Sequence, residues 1–549
     1  MVCGCRRVVY TVGSPMPRAW IVLLLAAGVR AQAADPCPRP HIGGIVAQPP
    51  DLYSSGGVLR AEFSFRTFAD VYGRRRYCYV AADGAQSPTL RVHPGDELIL
   101  KLTNDLPAAL PGGSMVAMHD MEVRGPCGGG KLDASTTNLH FHGLSVPPTC
   151  HQDEVLSTLV RPSGGGFEYR VRIPADQPPG LYWYHPHPHG YSEVQVLGGA
   201  SGALIVEGIE HAKPKVGGLP ERVLVLRDQL MPGAGAEAGE ARGREPSKDI
   251  SINYVGVLYP ANSPAAMVAL PNQREFWRIL NAAADTYFDL EVRTGASLAE
   301  ARAPLPLELI AMDGVPVAED PEAGRTHILL PPGGRAELIL TTPPEGVFAQ
   351  LVTLAYDAGP GGESAPARPI ANFFSSRRSA APAARVPSAP ADARPAASST
   401  DLTPVRRRRL YFSEERRNHA DPKSPLNYFV TVDGMPPKLF DMNFTEPDIT
   451  VRQGTIEDWT IENRATEAHT FHIHQVHFQV VERDRRAVHE PLWRDTIDLP
   501  YWDGKSARYP SVTLRMDFRD PQIVGTFLYH CHILEHEDGG MMGSIRVLP

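Results

Sequence analysis

Gly180-Leu181-Tyr182-Trp183-Tyr184-His185-Pro186-His187 and Gly525-Thr526-Phe527-Leu528-Tyr529-His530-Cys531-His532 run in step, position for position, at two distant places in the chain. Each opens on glycine, passes through large apolar residues and closes on two histidines one residue apart. A second pair of segments repeats as well. Leu90-Arg91-Val92-His93-Pro94-Gly95 to Asn104 reads as strand, turn, strand, with Leu98, Leu100 and Leu102 on one face. Ile449-Thr450-Val451-Arg452-Gln453-Gly454 to Asn463 has the same shape, and Leu270-Pro271-Asn272-Gln273 to Asn281 is a weaker third copy. Three copies predict three related β domains.

Composition agrees. The 549 residues include 49 Gly and 53 Pro, nearly one in five, which favours short strands and many turns over long helices. A chain of this length exceeds one core. Net charge is −8, which excludes a basic nucleic-acid binder. Arg6, Arg7 and Arg18 precede the apolar run Ala19–Val29, and Ala31-Gln32-Ala33 follows as a small-x-small site. Residues 1–33 therefore read as a signal peptide, with Met1 or Met16 as its start, and the chain as exported, periplasmic or secreted. The run is too short to span a bilayer, and no stable membrane insertion is expected. Beyond the signal, Cys37, Cys78, Cys127 and Cys150 allow two disulfides in three pairings. Proximity favours Cys37–Cys78 and Cys127–Cys150, leaving Cys531 alone.

Two polar stretches interrupt the repeats. Residues 232–248 read as a surface loop, and 375–400, rich in Ser, Ala, Pro and Arg, as a flexible linker. Arg406 to Arg409 read as a solvated strand edge or linker end.

Ten of the 20 histidines fall in four short clusters. Side chains alternate faces along a strand, so H-x-H aims both imidazoles at one place. His140/His142, His185/His187, His472/His474 and His530/His532 are four such pairs, two in each outer repeat. Eight imidazoles converging from two domains suit a small cluster of borderline metal ions. Parity also sets Cys531 on the face opposite its two histidine neighbours, and His469, three residues before His472, opposite that one. With His536 and Met541 they make a thiolate, two imidazoles and a thioether, the donor set of a blue-copper electron-transfer centre.

These segments resemble the signatures of three-domain multicopper oxidases of the laccase and copper-efflux-oxidase type. The resemblance rests on His140-Phe141-His142-Gly143, His185-Pro186-His187, His469-Thr470-Phe471-His472-Ile473-His474 and His530 through Met541, and in domain layout covers roughly residues 45–549. It implies an all-β fold of three cupredoxin-like Greek-key sandwiches or barrels: 40–210 and 401–549 carrying copper ligands, and 218–374 carrying none. Thr286-Tyr287-Phe288-Asp289 stands where the middle domain would hold histidines, which leaves that domain as a spacer. Four copper ions per chain are implied. Type 1 falls to His469, Cys531, His536 and Met541, and type 2 to His140 and His472. One type 3 ion falls to His142, His185 and His532, the other to His187, His474 and His530. His189 and His477 are left as supporting or surface groups. A Met at position 541 implies a low to moderate potential.

The implied activity couples four one-electron oxidations of a small reductant to reduction of O2 to water. Cys531 carries the electrons, and Glu537 and Asp153, the latter beside Glu154, resemble the proton-relay acids. The donor is expected to be a phenol or aromatic amine, with Glu467 a candidate acid near the type 1 histidine. Cu(I) or another metal ion is the alternative; Met115, Met118 and Met121 form no Met-rich run. A copper-free structural scaffold of the same fold is the non-enzyme alternative, disfavoured by the complete ligand set. The protein is expected to act as a monomer.

Overall fold

The computed structural model describes residues 35–108, 110, 121–231, 245–318, 320–322, 324–375, 402–421 and 424–549. The predicted signal peptide, nearly all of the predicted linker, Met115 and Met118 lie outside these residues. Strand takes 46% of the structure and helix 5%, so the all-β expectation holds.

Six main sheets form three pairs, with strands of the first pair between Asp51 and Val206, of the second between Glu221 and Ser375, and of the third between Arg406 and Leu548. Each pair encloses its own apolar core. Phe63, Leu98, Leu100, Leu102 and Tyr184 belong to the first, Trp277, Leu290, Leu338 and Phe373 to the second, and Trp459, Phe471, Leu514 and Tyr529 to the third. The repeated motifs occupy equivalent strands. In the first pair, Thr89–Val92, Gly202–Val206, Gly180–His185 and His140–His142 are successive neighbours in one sheet. In the third, Ile449–Arg452, Met542–Leu548, Gly525–Cys531 and His469–Ile473 follow in the same order. The middle counterpart runs Ala265–Ala269, Arg368–Ser375, Phe348–Leu354 and Phe288–Gly295. Its last strand therefore takes the place of the histidine strands. The strand-to-strand turn requires a left-handed residue: Gly95 and Gly454 supply it at φ +88° and +89°, and Asn272 at φ +56°.

Register brings the histidines together. His185 pairs with His140 and Trp183 with His142 in the first sheet, and His472 pairs with His530 in the third. Smaller apolar clusters join the sandwiches: Leu181, Trp183 and Ile205 pack on Val223 and Leu280, while Val155 and Tyr191 pack with Phe440 and Leu528.

Both nearest-neighbour disulfides are present, Cys37–Cys78 and Cys127–Cys150, and Cys531 is a buried free thiol. The loop expected over 232–248 ends earlier than its composition suggests. Lys248 opens a strand, is buried, and lies 3.1 Å from Asp285. Arg406 and Arg407 are exposed, whereas Arg408 pairs with Glu457 and Arg409 with Asp433 on their strand, in keeping with a solvated edge. Among the described residues no helix is long and apolar enough to cross a membrane.

Candidate metal centre

The eight H-x-H imidazoles lie in one buried cluster where the first and third sandwiches meet. His140 stacks on His474 with centroids 3.9 Å apart, and His142 on His472 at the same distance. Each stack joins a histidine of one outer sandwich to a histidine of the other. Among the groups whose donor atoms lie within 4.8 Å of one another are His142/His185/His532, His187/His474/His530 and His140/His142/His472.

Hydrogen bonds at the outer nitrogens decide which nitrogen faces inward. The Nδ1 of His185 is 3.0 Å from the Pro186 carbonyl, and that of His530 is 2.9 Å from the Cys531 carbonyl. His472 Nδ1 donates to the Asp495 carbonyl at 2.8 Å, and His140 Nδ1 to Asp153 Oδ1 at 3.0 Å. His142 is reversed, with Nε2 3.3 Å from Asp495 Oδ1. The opposite nitrogens, Nε2 of His140, His185 and His472 and Nδ1 of His142, are buried without a hydrogen-bond partner, as are both nitrogens of His532. Imidazoles oriented from behind, with bare lone pairs in front, are what metal binding needs.

Burial, followed by the neighbouring imidazoles, holds His140 and His142 far below the ordinary histidine range. His187 is lowered to about 3 and His472 to about 4, again mainly by burial. All are neutral donors at physiological pH.

The second centre lies inside the third sandwich, as the parity of Cys531 requires. Its Sγ is 3.6 Å from Nδ1 of both His469 and His536, and those two nitrogens are 3.0 Å apart. Met541 shares this apolar core. The Thr470 N–H points at the sulfur from 3.5 Å. Burial pushes the Cys531 thiol up. Behind the imidazoles, His469 Nε2 faces Glu414 at 3.2 Å and His536 Nε2 faces Glu467 at 3.0 Å. Burial and the Glu414 carboxylate push Glu467 up, whereas Glu414 is held at about 2, against its own burial, by the His469 imidazole beside it.

A cleft opens beside His536, lined by Tyr287, Ala358, Tyr428, Glu467, Ile533 and Glu535 among others. Tyr428 stacks on the His536 ring at 4.4 Å.

Both predicted relay acids abut the histidine cluster. Asp153 accepts from His140, from the Phe141 N–H at 2.8 Å and from Gln475 at 2.5 Å; its burial raises the carboxyl to about 8. Glu537 is fully buried with Oε2 3.3 Å from His530 Nδ1 and Oε1 3.6 Å from His187 Nδ1. His189 is buried, not on the surface, and His477 donates to the Asp313 carbonyl at 3.1 Å. Glu414, Asp495 and Arg335 escaped the sequence reading. Each is a charged residue far from any histidine motif, and only folding brings it to one.

A sulfur-and-imidazole centre joined by one strand to an imidazole cluster, on cupredoxin-like sandwiches, fits the donor chemistry of copper. Two family models described as multicopper oxidase match residues 131–211 and 419–549. The multicopper oxidase mco of Staphylococcus haemolyticus is 24% identical over 467 residues, spanning 84% of this chain and 81% of its own. The laccase of Bacillus subtilis is 24% identical over 497 residues, spanning 84% and 88%. Among solved structures, a multicopper oxidase from Campylobacter jejuni superimposes with a TM-score of 0.65 at 22% identity, covering 93% of this chain and 97% of that one. A laccase-like multicopper oxidase from Ochrobactrum sp. gives a TM-score of 0.62 at 21% identity, covering 92% and 100%. The chain belongs to the multicopper oxidase family. It is an oxidoreductase with O2 as electron acceptor, and its histidine clusters fit copper.

Proposed function

We propose that the protein oxidises phenols or aromatic amines one electron at a time and reduces O2 to water with four copper ions per chain. The observation that carries the donor assignment is the cleft at His536. An aromatic donor would find Tyr428 and Tyr287 as apolar walls and Glu467 as a hydrogen-bond partner beside the imidazole.

Type 1 copper would rest on His469 Nδ1, Cys531 Sγ, His536 Nδ1 and the Met541 thioether, and type 2 on Nε2 of His140 and His472. The type 3 ions would take His142, His185 and His532, and His187, His474 and His530. Bound copper supplies the one-electron steps that link the donor to O2. The chain supplies the rest. Cys531 is covalently continuous with His530 and His532, a bonded path from one centre to the other. Glu537 and Asp153 hold protons at carboxylate oxygens touching His530, His187 and His140, where O2 reduction consumes them. Two disulfides support an oxidising compartment, and with it export.

Metal-ion oxidation is the second reading, favoured by Asp285, Glu363 and Glu535 in the same cleft. Lys248 lies 3.1 Å from Asp285 and 2.5 Å from Glu363, so two of the three acids already face a cation. The Campylobacter protein is described as a metallo-oxidase, and the Ochrobactrum protein as active on lignin model compounds. Oxygen uptake by the purified copper-loaded protein, measured with a methoxyphenol and with Cu(I), decides. Faster turnover of Cu(I) than of every phenol and aromatic amine tried would reverse the assignment.

A further inference from the structure

The middle sandwich was expected to be a spacer, yet it reaches the histidine cluster. Its turn Pro331–Gly334 leads into the strand Arg335–Thr341. The Arg335 side chain is fully buried, and its guanidinium meets Asp495 through two parallel bonds, Nη1 to Oδ1 and Nη2 to Oδ2, both 2.6 Å. The same guanidinium donates to the Leu181 carbonyl of the first sandwich at 3.3 Å and to its own Gly333 carbonyl at 3.1 Å. One side chain thus touches all three sandwiches.

Asp495 controls two imidazoles at once. Its backbone carbonyl accepts from His472 Nδ1, and its Oδ1 faces His142 Nε2 while also accepting from Thr496 at 2.7 Å. An imidazole protonated on one nitrogen offers the other to a metal. Asp495 therefore turns Nε2 of His472 and Nδ1 of His142 inward, opposite tautomers in two stacked rings from different sandwiches. Close approach is built in. A Cβ on Gly143, at φ +89°, would lie 2.5 Å from Arg335 Nη2 and 2.7 Å from Asp495 Oδ2; one on Gly333 would lie 3.0 Å from the His532 ring.

We propose that Arg335 is a positioning residue for O2 reduction, fixing the Asp495 carboxylate so that His142 and His472 present the correct nitrogens to the copper cluster. This rests on the copper assignment above. A planar fork is needed because it pins both carboxylate oxygens and so the plane of the group; a lysine ammonium pins a point.

The test compares copper-loaded wild type with Arg335→Lys, Arg335→Gln and Asp495→Asn. Blue absorption reports the third sandwich, and the type 2 electron paramagnetic resonance signal reports the cluster. The expected result is a retained blue band, an altered type 2 hyperfine splitting, and copper lost from the cluster to a chelator about 10- to 100-fold more readily. Donor KM stays within about twofold while kcat falls, as a change at the O2 site requires. Unchanged type 2 spectra and retention in Arg335→Lys and Asp495→Asn overturn the proposal, even if Arg335→Gln fails to fold; Arg335 would then only dock the sandwiches. A wild-type protein with no type 2 signal after full loading refutes the copper assignment instead.

Discussion

Glu467 and His536 meet at 3.0 Å on the wall of the cleft, the carboxyl oxygen facing the imidazole Nε2. Burial and the adjacent Glu414 drive Glu467 toward its protonated form, so it acts as an uncharged acceptor that a glutamine can imitate. Glu467→Leu should lower kcat/KM for phenols about tenfold or more, since a lost buried hydrogen bond costs about 1–3 kcal/mol. Glu467→Gln should stay within about threefold of wild type. Steady-state oxygen uptake checks both; equal damage from the two substitutions would rule out a hydrogen-bonding role.

Cys531→Ser separates the two centres. Among the described residues, the buried sulfur and the Met541 thioether are the soft donors beside His469 and His536. Loss of the sulfur should abolish the blue absorption and remove one copper per chain, leaving the cluster loaded, because its eight imidazoles are untouched. Metal analysis and absorption spectra read this directly, and surviving colour would refute the ligand assignment.

Glu537 lies behind His530 and His187 and does not itself line the donor cleft, although its chain neighbour His536 does. Glu537→Gln should leave anaerobic reduction by a phenol unchanged and slow reoxidation by O2 about 100-fold, the scale of a lost proton-transfer group. Stopped-flow with the two half-reactions measured apart is the check. Equal slowing of both would point to a folding defect.

The metal-free protein should be acid-sensitive. Burial holds His187 at about 3, His472 at about 4 and the other cluster histidines well below their ordinary range. In the unfolded chain each titrates near about 6.5. Below that pH the unfolded state binds protons that the folded state refuses, so stability falls as pH falls from about 6.5 toward 3. Each such histidine contributes up to about 1.4 kcal/mol per pH unit. Urea melts of metal-free protein between pH 7.5 and 5 should show the midpoint dropping, and copper should oppose the drop by competing with protons. A flat midpoint would contradict this.

The ligand strands were legible because strand periodicity is a local rule. H-x-H fixes a shared face, and the intervening Cys531 must take the other, wherever the strand lies. The supporting groups obey no such rule. Glu414 sits on a strand remote in sequence from His469, and Arg335 reaches Asp495 across a junction between sandwiches. Nothing in the spacing around either residue announces its partner. Lys248 was misread for a related reason: a polar, Gly-rich neighbourhood hid a lysine whose burial is compensated by Asp285 and Glu363.

The histidine cluster draws half its members from residues 140–187 and half from 472–532. No fragment confined to one outer sandwich can therefore assemble the eight imidazoles. A chain that ends before Cys531 lacks Cys531, His532 and His536, and with them part of both donor groups.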